Sequence, residues 1–512
     1  MKCVGQDQAA DQSEVFAFLS DPATHRLKEP VTRIDTHGAA VFLAGANVYK
    51  VKRAVHFSFM DFSTLEKRRR ACENELAVNR ANAPDLYLGV VPISRKDNAL
   101  IFGAGEEIIE WAVHLRRFDE ERTLDRLAAR GQLDSGTVTK LAEVVVTSHR
   151  QAPILLDRGA TAALAARIEE TMTAIEAAPN VFPAAAAASL KSAMLRAFGA
   201  ARPLLLRREA DGWVRHCHGD LHLRNIVLIG ATPTLFDALE FDDSFAICDV
   251  LYDLAFLLMD LWTRGLRSEA NGLMNRYLSA SEAVEAQLEG LAALPLFLSL
   301  RAAVRANVTN LEASRTAATI AAARRLFDAA CAFFEPSQLH LIVIGGLSGT
   351  GKTSLARAVA PAIGRAPGAI HLRSDVERKR LYHLSELQRL PEEAYRPDIS
   401  AATYQRLRDL AARALAAGQS VVVDAAHLKP KERTGADVAA RAGARFKGLW
   451  LEAPMEVRLA RVSQRRNDAS DAGPTIAAAQ ADEPVGQIAW LRLDASQSTL
   501  VDRALAAIKE EA

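Results

Sequence analysis

The sequence predicts two domains in tandem: a two-lobed α+β domain over residues 1–335 and an α/β domain with a parallel sheet over residues 339–512. Three observations predict it. Residues from about 31 to 118 read as short strands around a single helix, a small lobe. From 119 to 335 the text becomes helical and rich in Ala and Leu, a second lobe interrupted by two short strands. Beyond the polar, Pro-bearing segment FFEPSQLH (Phe333 to His340), strands and helices alternate in the rhythm of a parallel sheet. A chain of 512 residues is also too long for one growing core, so more than one domain is expected.

Each element follows from local pattern. AAVFLAGANVYKVKR reads as a hairpin around Gly45, and GEEIIEWAVHLRRF as another strand. Between them, FSTLEKRRRACENELAVNRA has helical spacing and a cap at Ser63 or Thr64. In the second lobe the strands are NIVLIG and PTLFDAL, and Pro183 to Ala201 is an Ala-rich amphipathic helix. In the last third, LHLIVIGG, AIHLRS, SVVVDA and FKGLWLEAP are the strands.

Composition bounds function. Hydrophobic residues are 49% and charged residues 24%, which fits a folded chain. Net charge is +1, so no global attraction to nucleic acid or anionic membrane is expected, and any phosphate binding must be local. The five cysteines (Cys3, Cys72, Cys217, Cys248, Cys331) show neither metal-ligand spacing nor an even count, which suits a reducing compartment. MKCVGQDQAADQSE lacks the pattern of a secretory signal. The apolar stretches Val250 to Trp262 and Leu291 to Leu300 fall short of the roughly 18 residues of a membrane span. A cytoplasmic location, a small-molecule substrate and no membrane partner are therefore expected.

GLSGTGKT follows an apolar strand and opens the helical text TSLARAVAPAIG. A phosphate-binding loop needs glycines where backbone approaches phosphate, inward amides, a lysine and a hydroxyl for Mg²⁺. Gly346, Leu347, Ser348, Gly349, Thr350, Gly351, Lys352 and Thr353 supply that loop. Asp424, ending the strand VVVD, fits an acid that holds Mg²⁺, or a plain strand-end turn. In HLRSDVERKR, Asp375 fits a base for an acceptor hydroxyl and Arg378 a group that orients it; a solvated helix start capped by Ser374 reads nearly as well. Arg461 and Arg465, four apart in RLARVSQRR, fit a lid that neutralises a transferred phosphoryl group, or an ordinary surface helix.

From about Leu339 onward this text resembles the small P-loop kinases of the zeta-toxin, gluconate-kinase and polynucleotide-kinase type, with AAA-like ATP-binding domains. The resemblance implies phosphoryl transfer from ATP to a small hydroxyl substrate.

The first domain contains HCHGDLHLRNIVLIG, with His218, Asp220 and Asn225 at the spacing of a kinase catalytic loop. A carboxylate there can receive the acceptor proton, and an amide oxygen five residues on can reach a metal on the phosphates. Asp237 leaves the following strand in LFDALEF, placed for the same metal. These residues, with Asp249 and Asp253 in DVLYDLAFLLMDL, resemble the aminoglycoside phosphotransferase and choline-kinase-like branch of the protein-kinase fold, over about Arg33 to Phe334. The resemblance implies that Asp220 is the catalytic base, that Asn225 and Asp237 bind Mg²⁺, and that His218 supports the loop. It also implies Lys50 in NVYKVKR as the phosphate-binding lysine, Glu75 as its partner and Leu115 to Phe118 as the adenine hinge. Alternation puts Lys50 and Lys52 on one face, so the residues leave that choice open. Glu75 has a plain helix-surface charge as its alternative reading, and Glu240 reads equally as a second metal contact or an ordinary acid. The pattern departs in having THGAAVFLAG where a glycine-rich phosphate loop would stand.

The order of the two domains resembles a bacterial family of bifunctional aminoglycoside phosphotransferase and ATP-binding proteins. It implies an ATP- and Mg²⁺-dependent tandem phosphotransferase. Alternatives are one catalytic domain with a nucleotide-gated partner domain, and a nucleic-acid end kinase, which the near-neutral charge weakens. Asp119, Glu120 and Glu121 are acids near the hinge, but Arg122 follows them, which argues against a polycationic aminoglycoside as acceptor.

Overall fold

The computed structural model describes residues 11–510 apart from 37, 58–59, 241–242, 312–315, 434, 465–468 and 481–484. The chain forms two compact units: Met1–Arg167 with Leu206–Leu257 and Leu311–Arg315, and Ile168–Leu205 with Leu258–Asn310 and Thr316–Ala512. Residues 168–205 and 258–310, expected in the helical lobe, are thus grouped with the parallel sheet.

In the first unit, β1 (Thr32–Asp35), β2 (Ala39–Ala44) and β3 (Asn47–Lys52) are followed by the short hairpin β4 (His56–Phe57) and β5 (Met60–Asp61). Then come β6 (Tyr87–Lys96), β7 (Ala99–Phe102) and β8 (Glu107–Arg116), and the antiparallel sheet runs in the order β1-β2-β3-β8-β6-β7. Gly45 makes the β2–β3 turn at φ +59°, a left-handed value that glycine adopts without strain. Phe42, Val51, Ile93 and Ala112 bury one sheet face against Val15 and Leu19 of the helix Ser13–Ser20. The helix Leu65–Arg80 begins at Thr64, whose hydroxyl accepts the Lys67 N–H, and it packs over β8 and β6. β6 and β7 were not anticipated: YLGVVPISRK carries a Pro and pairs with β8 through two register shifts, and ALIF is only four residues long.

Four short strands complete this unit: β9 (Val214–His216), β10 (Ile226–Ile229), β11 (Thr232–Leu235) and β12 (Ile247–Asp249). β10 and β11 form a hairpin and β9 pairs with β12, so the loop 217–225 is anchored at both ends by antiparallel ladders.

In the second unit, β13 (His340–Gly346), β14 (Ile370–Arg373), β15 (Val421–Asp424), β16 (Arg445–Glu452) and β17 (Leu491–Asp494) form a parallel sheet in the order β14-β15-β13-β16-β17. Strands covered on both faces read as continuous apolar runs, and the buried residues 341–346 of β13 are the clearest case. Ile342, Ile344, Val422 and Leu449 pack against Leu355, Val359 and Ile508 from the covering helices. One stretch among the described residues, Val284–Leu311, is long and apolar enough to cross a membrane. The sequence runs looked shorter because Val284–Gly290, Leu291–Ala293 and Leu294–Leu311 join end to end, and 67% of the apolar window is buried inside the fold. Cys72, Cys217, Cys248 and Cys331 are free thiols.

Candidate active sites

The first site lies in the first unit. β3 sends Lys50 and Lys52 to one face, and both meet Glu75 of the helix Leu65–Arg80. Lys50 Nζ is 2.9 Å from Glu75 Oε1 and 2.7 Å from Asp237 Oδ1. Lys52 Nζ is 2.6 Å from Glu75 Oε2 and also pairs with Glu240. The side chain of Lys50 keeps 17% exposure and that of Lys52 only 2%, so the two lysines differ in access although they share an acid. Glu75 is wholly buried, so it is no surface charge. Burial disfavours its ionised form, yet the two ammonium groups hold its carboxyl below the ordinary range. Burial likewise opposes charge on Lys50, but Asp237 and Glu75 raise its pKa well above the usual lysine value.

Asp237 adopts φ +60°, a left-handed conformation that a non-glycine residue holds only when its surroundings fix it. The surroundings are the buried Tyr87, whose hydroxyl accepts the Asp237 N–H at 3.1 Å, and Asn79, whose Oδ1 accepts the Ala238 N–H at 2.8 Å. Neither partner carried a sequence signal.

The loop after β9 brings Asp220 and Asn225 together: Asn225 Nδ2 donates to Asp220 Oδ2 at 2.9 Å and to its carbonyl at 3.0 Å. His222 Nε2 lies 3.3 Å from the same carboxylate. Beneath them Asp253, fully buried on the helix Val250–Thr263, accepts the Gly219 N–H at 2.8 Å and the His218 N–H at 3.3 Å and meets His149 Nε2 at 3.1 Å. Asp249 takes Arg208 at 2.6 and 2.9 Å. His218 Nε2 contacts the Phe236 carbonyl at 3.0 Å, and burial lowers its pKa, so the neutral ring braces the loop.

In the segment Leu115 to Phe118, where a hinge was expected, the Arg116 and Arg117 amides donate to Leu86 and Ala46 carbonyls at 2.8 Å, and Phe118 packs on Phe236 with ring centroids 4.9 Å apart. The nearby acids are spent locally. Glu121 pairs with Arg126 and Arg130, Glu120 lies 3.3 Å from Arg126, and Asp119 accepts the Glu121 N–H at 3.0 Å.

The second site lies in the second unit. Gly346, Gly349 and Gly351 hold φ of +142°, +86° and +89° between β13 and the helix Lys352–Val359. A Cβ on Gly349 would lie 2.5 Å from the Arg458 carbonyl oxygen, so only glycine fits. Thr350 Oγ1 donates to the Leu347 carbonyl at 2.8 Å, Lys352 Nζ to the same oxygen at 3.1 Å, and Gln480 Oε1 accepts the Ser348 N–H at 2.9 Å. Thr353 Oγ1 donates to Asp424 Oδ2 at 2.5 Å. Burial works against charge on Asp424, but His371, with Nε2 3.5 Å away, and Lys352 hold its carboxyl well below the ordinary range.

Loop and acids open onto one cleft of about 1270 Å³, lined also by Asp375, Arg378, Tyr395 and Arg461. Burial pushes Asp375 up, with Asp424 adding to it against Arg373. Arg378 Nη1 donates to the Ala394 carbonyl at 2.7 Å and to Ser400 Oγ at 3.1 Å, and its guanidinium lies 5.1 Å from the Tyr395 ring centroid. Arg461, on the helix Met455–Ser463, donates to the Thr350 carbonyl at 3.4 Å and the Ala495 carbonyl at 3.0 Å. That helix ends at Ser463, and Arg465 lies outside the described residues. His371 and Arg458 stand in segments already read for Asp375 and Arg461 but match no motif, and Gln480 reaches the loop from a segment 132 residues away.

Residues 44–291 match the phosphotransferase enzyme family, and residues 341–483 match an AAA domain. With the fold and the two sites, this makes the chain a protein of kinase-type phosphotransfer domains. It carries in tandem a domain that matches the phosphotransferase enzyme family and a P-loop domain that matches an AAA domain. An uncharacterised protein of Mycobacterium tuberculosis is 29% identical over 458 residues, covering 87% of this chain and 89% of the relative. Among solved structures, a choline/ethanolamine kinase family protein from Mesorhizobium loti is 16% identical over 62% of this chain and 95% of its own, with a TM-score of 0.38. The Mycobacterium tuberculosis APS kinase CysC is 24% identical over 34% of this chain and 97% of its own, with a TM-score of 0.25.

Proposed function

We propose that the protein is an ATP- and Mg²⁺-dependent phosphotransferase with two separate nucleotide sites, each acting on a small hydroxyl-bearing substrate. The observation that carries this is the convergence, in each unit, of a cation and metal-type oxygen donors: Lys50 with Asp237, and Lys352 with Thr353 and Asp424. Both donor sets suit a hard divalent cation. Asp237 offers a carboxylate, and Asn225, whose Nδ2 is bonded to Asp220, offers its amide oxygen; Thr353 offers a hydroxyl beside the ionised Asp424. When bound, Mg²⁺ would neutralise charge on the phosphates.

At the first site Lys50, steadied by Glu75, attracts the phosphates while Asp220 receives the proton of the acceptor hydroxyl. The acceptor oxygen bonds the γ-phosphorus and the bond to ADP breaks. At the second site the loop amides and Lys352 cradle the phosphates, Asp375 receives the acceptor proton, Arg378 orients the acceptor, and Arg461 with Arg465 neutralises developing charge. An Asp375 pKa raised by burial suits a proton acceptor better than an ordinary carboxylate.

The test is ATP turnover by Asp220→Asn and Lys352→Ala proteins, screened with small hydroxyl metabolites. Each change is expected to remove part of the turnover and the double variant all of it. A single change that leaves turnover intact assigns that unit a binding role instead.

A further inference from the structure

β14 is an edge strand of the parallel sheet, and an edge strand leaves alternate N–H and C=O groups without a ladder partner. Here the helix Arg267–Ala280 lies along that edge. Asn275 Oδ1 accepts the His371 N–H at 2.7 Å, and its Nδ2 donates to the Ala369 carbonyl at 3.1 Å. Asn271, 4% exposed, donates from Nδ2 to the carbonyls of Pro367 and Ala369, both at 3.0 Å. Asn275 Nδ2 also bonds Asn271 Oδ1 at 3.1 Å, so the two amides form one unit. Gly368 makes the approach possible: it has φ +104°, and a Cβ there would lie 2.7 Å from Asn271 Nδ2. These side chains pair two outward groups at this edge, the His371 N–H and the Ala369 carbonyl, in the way a sixth strand would have.

What this edge carries is the acceptor side of the second site. His371, held by Asn275 through its amide, turns its imidazole to Asp424, the partner of Thr353. Two residues beyond β14 stands Asp375, on the helix Ser374–Leu381, and Arg380 of that helix donates to the Leu278 and Ser279 carbonyls at 3.2 and 2.7 Å. Arg276 and Glu386 add an ion pair at 2.5 Å. The helix Arg267–Ala280 falls within the stretch that matches the phosphotransferase family, outside the AAA-domain match.

We infer that Asn271 and Asn275 are positioning residues of the second site: the helix that bears them replaces a missing strand and sets the register of His371 and Asp375 against the phosphate loop. The inference rests on the reading of the second site as a phosphotransfer centre. The loop itself hangs from β13, two strands away, so nucleotide affinity and turnover respond differently to loss of Asn275.

The test uses the full-length protein with Asp220→Asn to silence the first site. Asn275→Ala should speed hydrogen exchange at the His371 amide about tenfold, as loss of one hydrogen bond does, while the Val343 amide of β13 is unchanged. Second-site kcat should fall about tenfold to a hundredfold, the effect of a displaced catalytic group, with the dissociation constant for a fluorescent ATP analogue unaltered. Asn275→Gln, which keeps both the acceptor for the His371 N–H and the donor for the Ala369 carbonyl on a longer arm, should recover part of the protection and of the kcat, and it carries the test alone if the alanine form does not fold. Unchanged His371 exchange, unchanged kcat, or nucleotide affinity lost in step with kcat overturns the inference. If the Asp220→Asn parent has no turnover sensitive to Lys352→Ala, the phosphotransfer reading fails instead, and the exchange measurement still decides whether Asn275 holds the edge.

Discussion

Glu75 holds two ammonium groups with no exposure to water, and removing either lysine has a different consequence. Lys52 is buried against Glu75 and Glu240, so Lys52→Met removes the ion-pair partner of Glu240 and leaves Glu75 with Lys50 alone, and it should cost about 3 kcal/mol of stability in denaturant unfolding. Lys50 faces Asp237 and keeps access, so Lys50→Met should cut first-site turnover about a hundredfold with a smaller loss of stability. His427 gives a pH prediction. Its pKa drops from 6.5 to about 4, burial being the main cause. Tyr404, Glu432 and Trp490 face it, with Asp424, Lys352 and Arg433 contributing at longer range. The unfolded chain binds the proton first, so the contribution of His427 is complete above pH 6.5 and is lost as pH falls toward 4, by up to about 3 kcal/mol. His427→Asn tolerates the φ of +52° and should flatten the acid-side decline of the second unit's unfolding midpoint, read by tryptophan fluorescence; an unchanged decline contradicts the assignment.

At the scale of elements, the phosphate loop shows how far sequence reasoning reaches. Its strand, glycines, lysine and following helix were all legible in GLSGTGKT because the motif is local and the chemistry demands those residue types. The reason Gly349 admits no other residue was not local: the backbone of Arg458 presses on it. Gly349→Ala should therefore weaken ATP-analogue binding at the second site at least about tenfold, from strain and displacement of the loop, measured by titration in the Asp220→Asn background. The expected pairing of Arg461 and Arg465 on one helical face is equally a matter of context: the helix Met455–Ser463 carries Arg461, and Arg465 lies outside the described residues. The helix Leu65–Arg80 was read correctly from its cap and spacing, whereas β6 lacks clean alternation and appears only through pairing with β8.

For the whole molecule, the boundary expected at Phe333 to His340 marks a change of text more than an edge of a compact unit. A fragment of residues 338–512 would lack Asn271 and Asn275, the Leu291 carbonyl that accepts Arg365 at 2.9 Å, and the Glu285 and Glu289 partners of Arg406 and Arg413. It should expose β14 and aggregate on size-exclusion chromatography, while the full-length chain, which keeps those partners, should not. Recovery of the fragment as a stable monomer would contradict this.

By itself the sequence determined the two fold types, the phosphate loop, and the residues Asp220, Asn225, Asp237 and Asp424 as a candidate set, because strand and helix periods and motif spacings are short-range properties. Tertiary structure alone decided that Lys50 and Lys52 divide their acids unequally, that Tyr87 and Asn79 hold Asp237, and that two asparagines from a distant helix finish the edge of the parallel sheet. Those are pairings between segments far apart in the chain, set by which buried polar groups find partners when the core closes, and no window of local sequence encodes them.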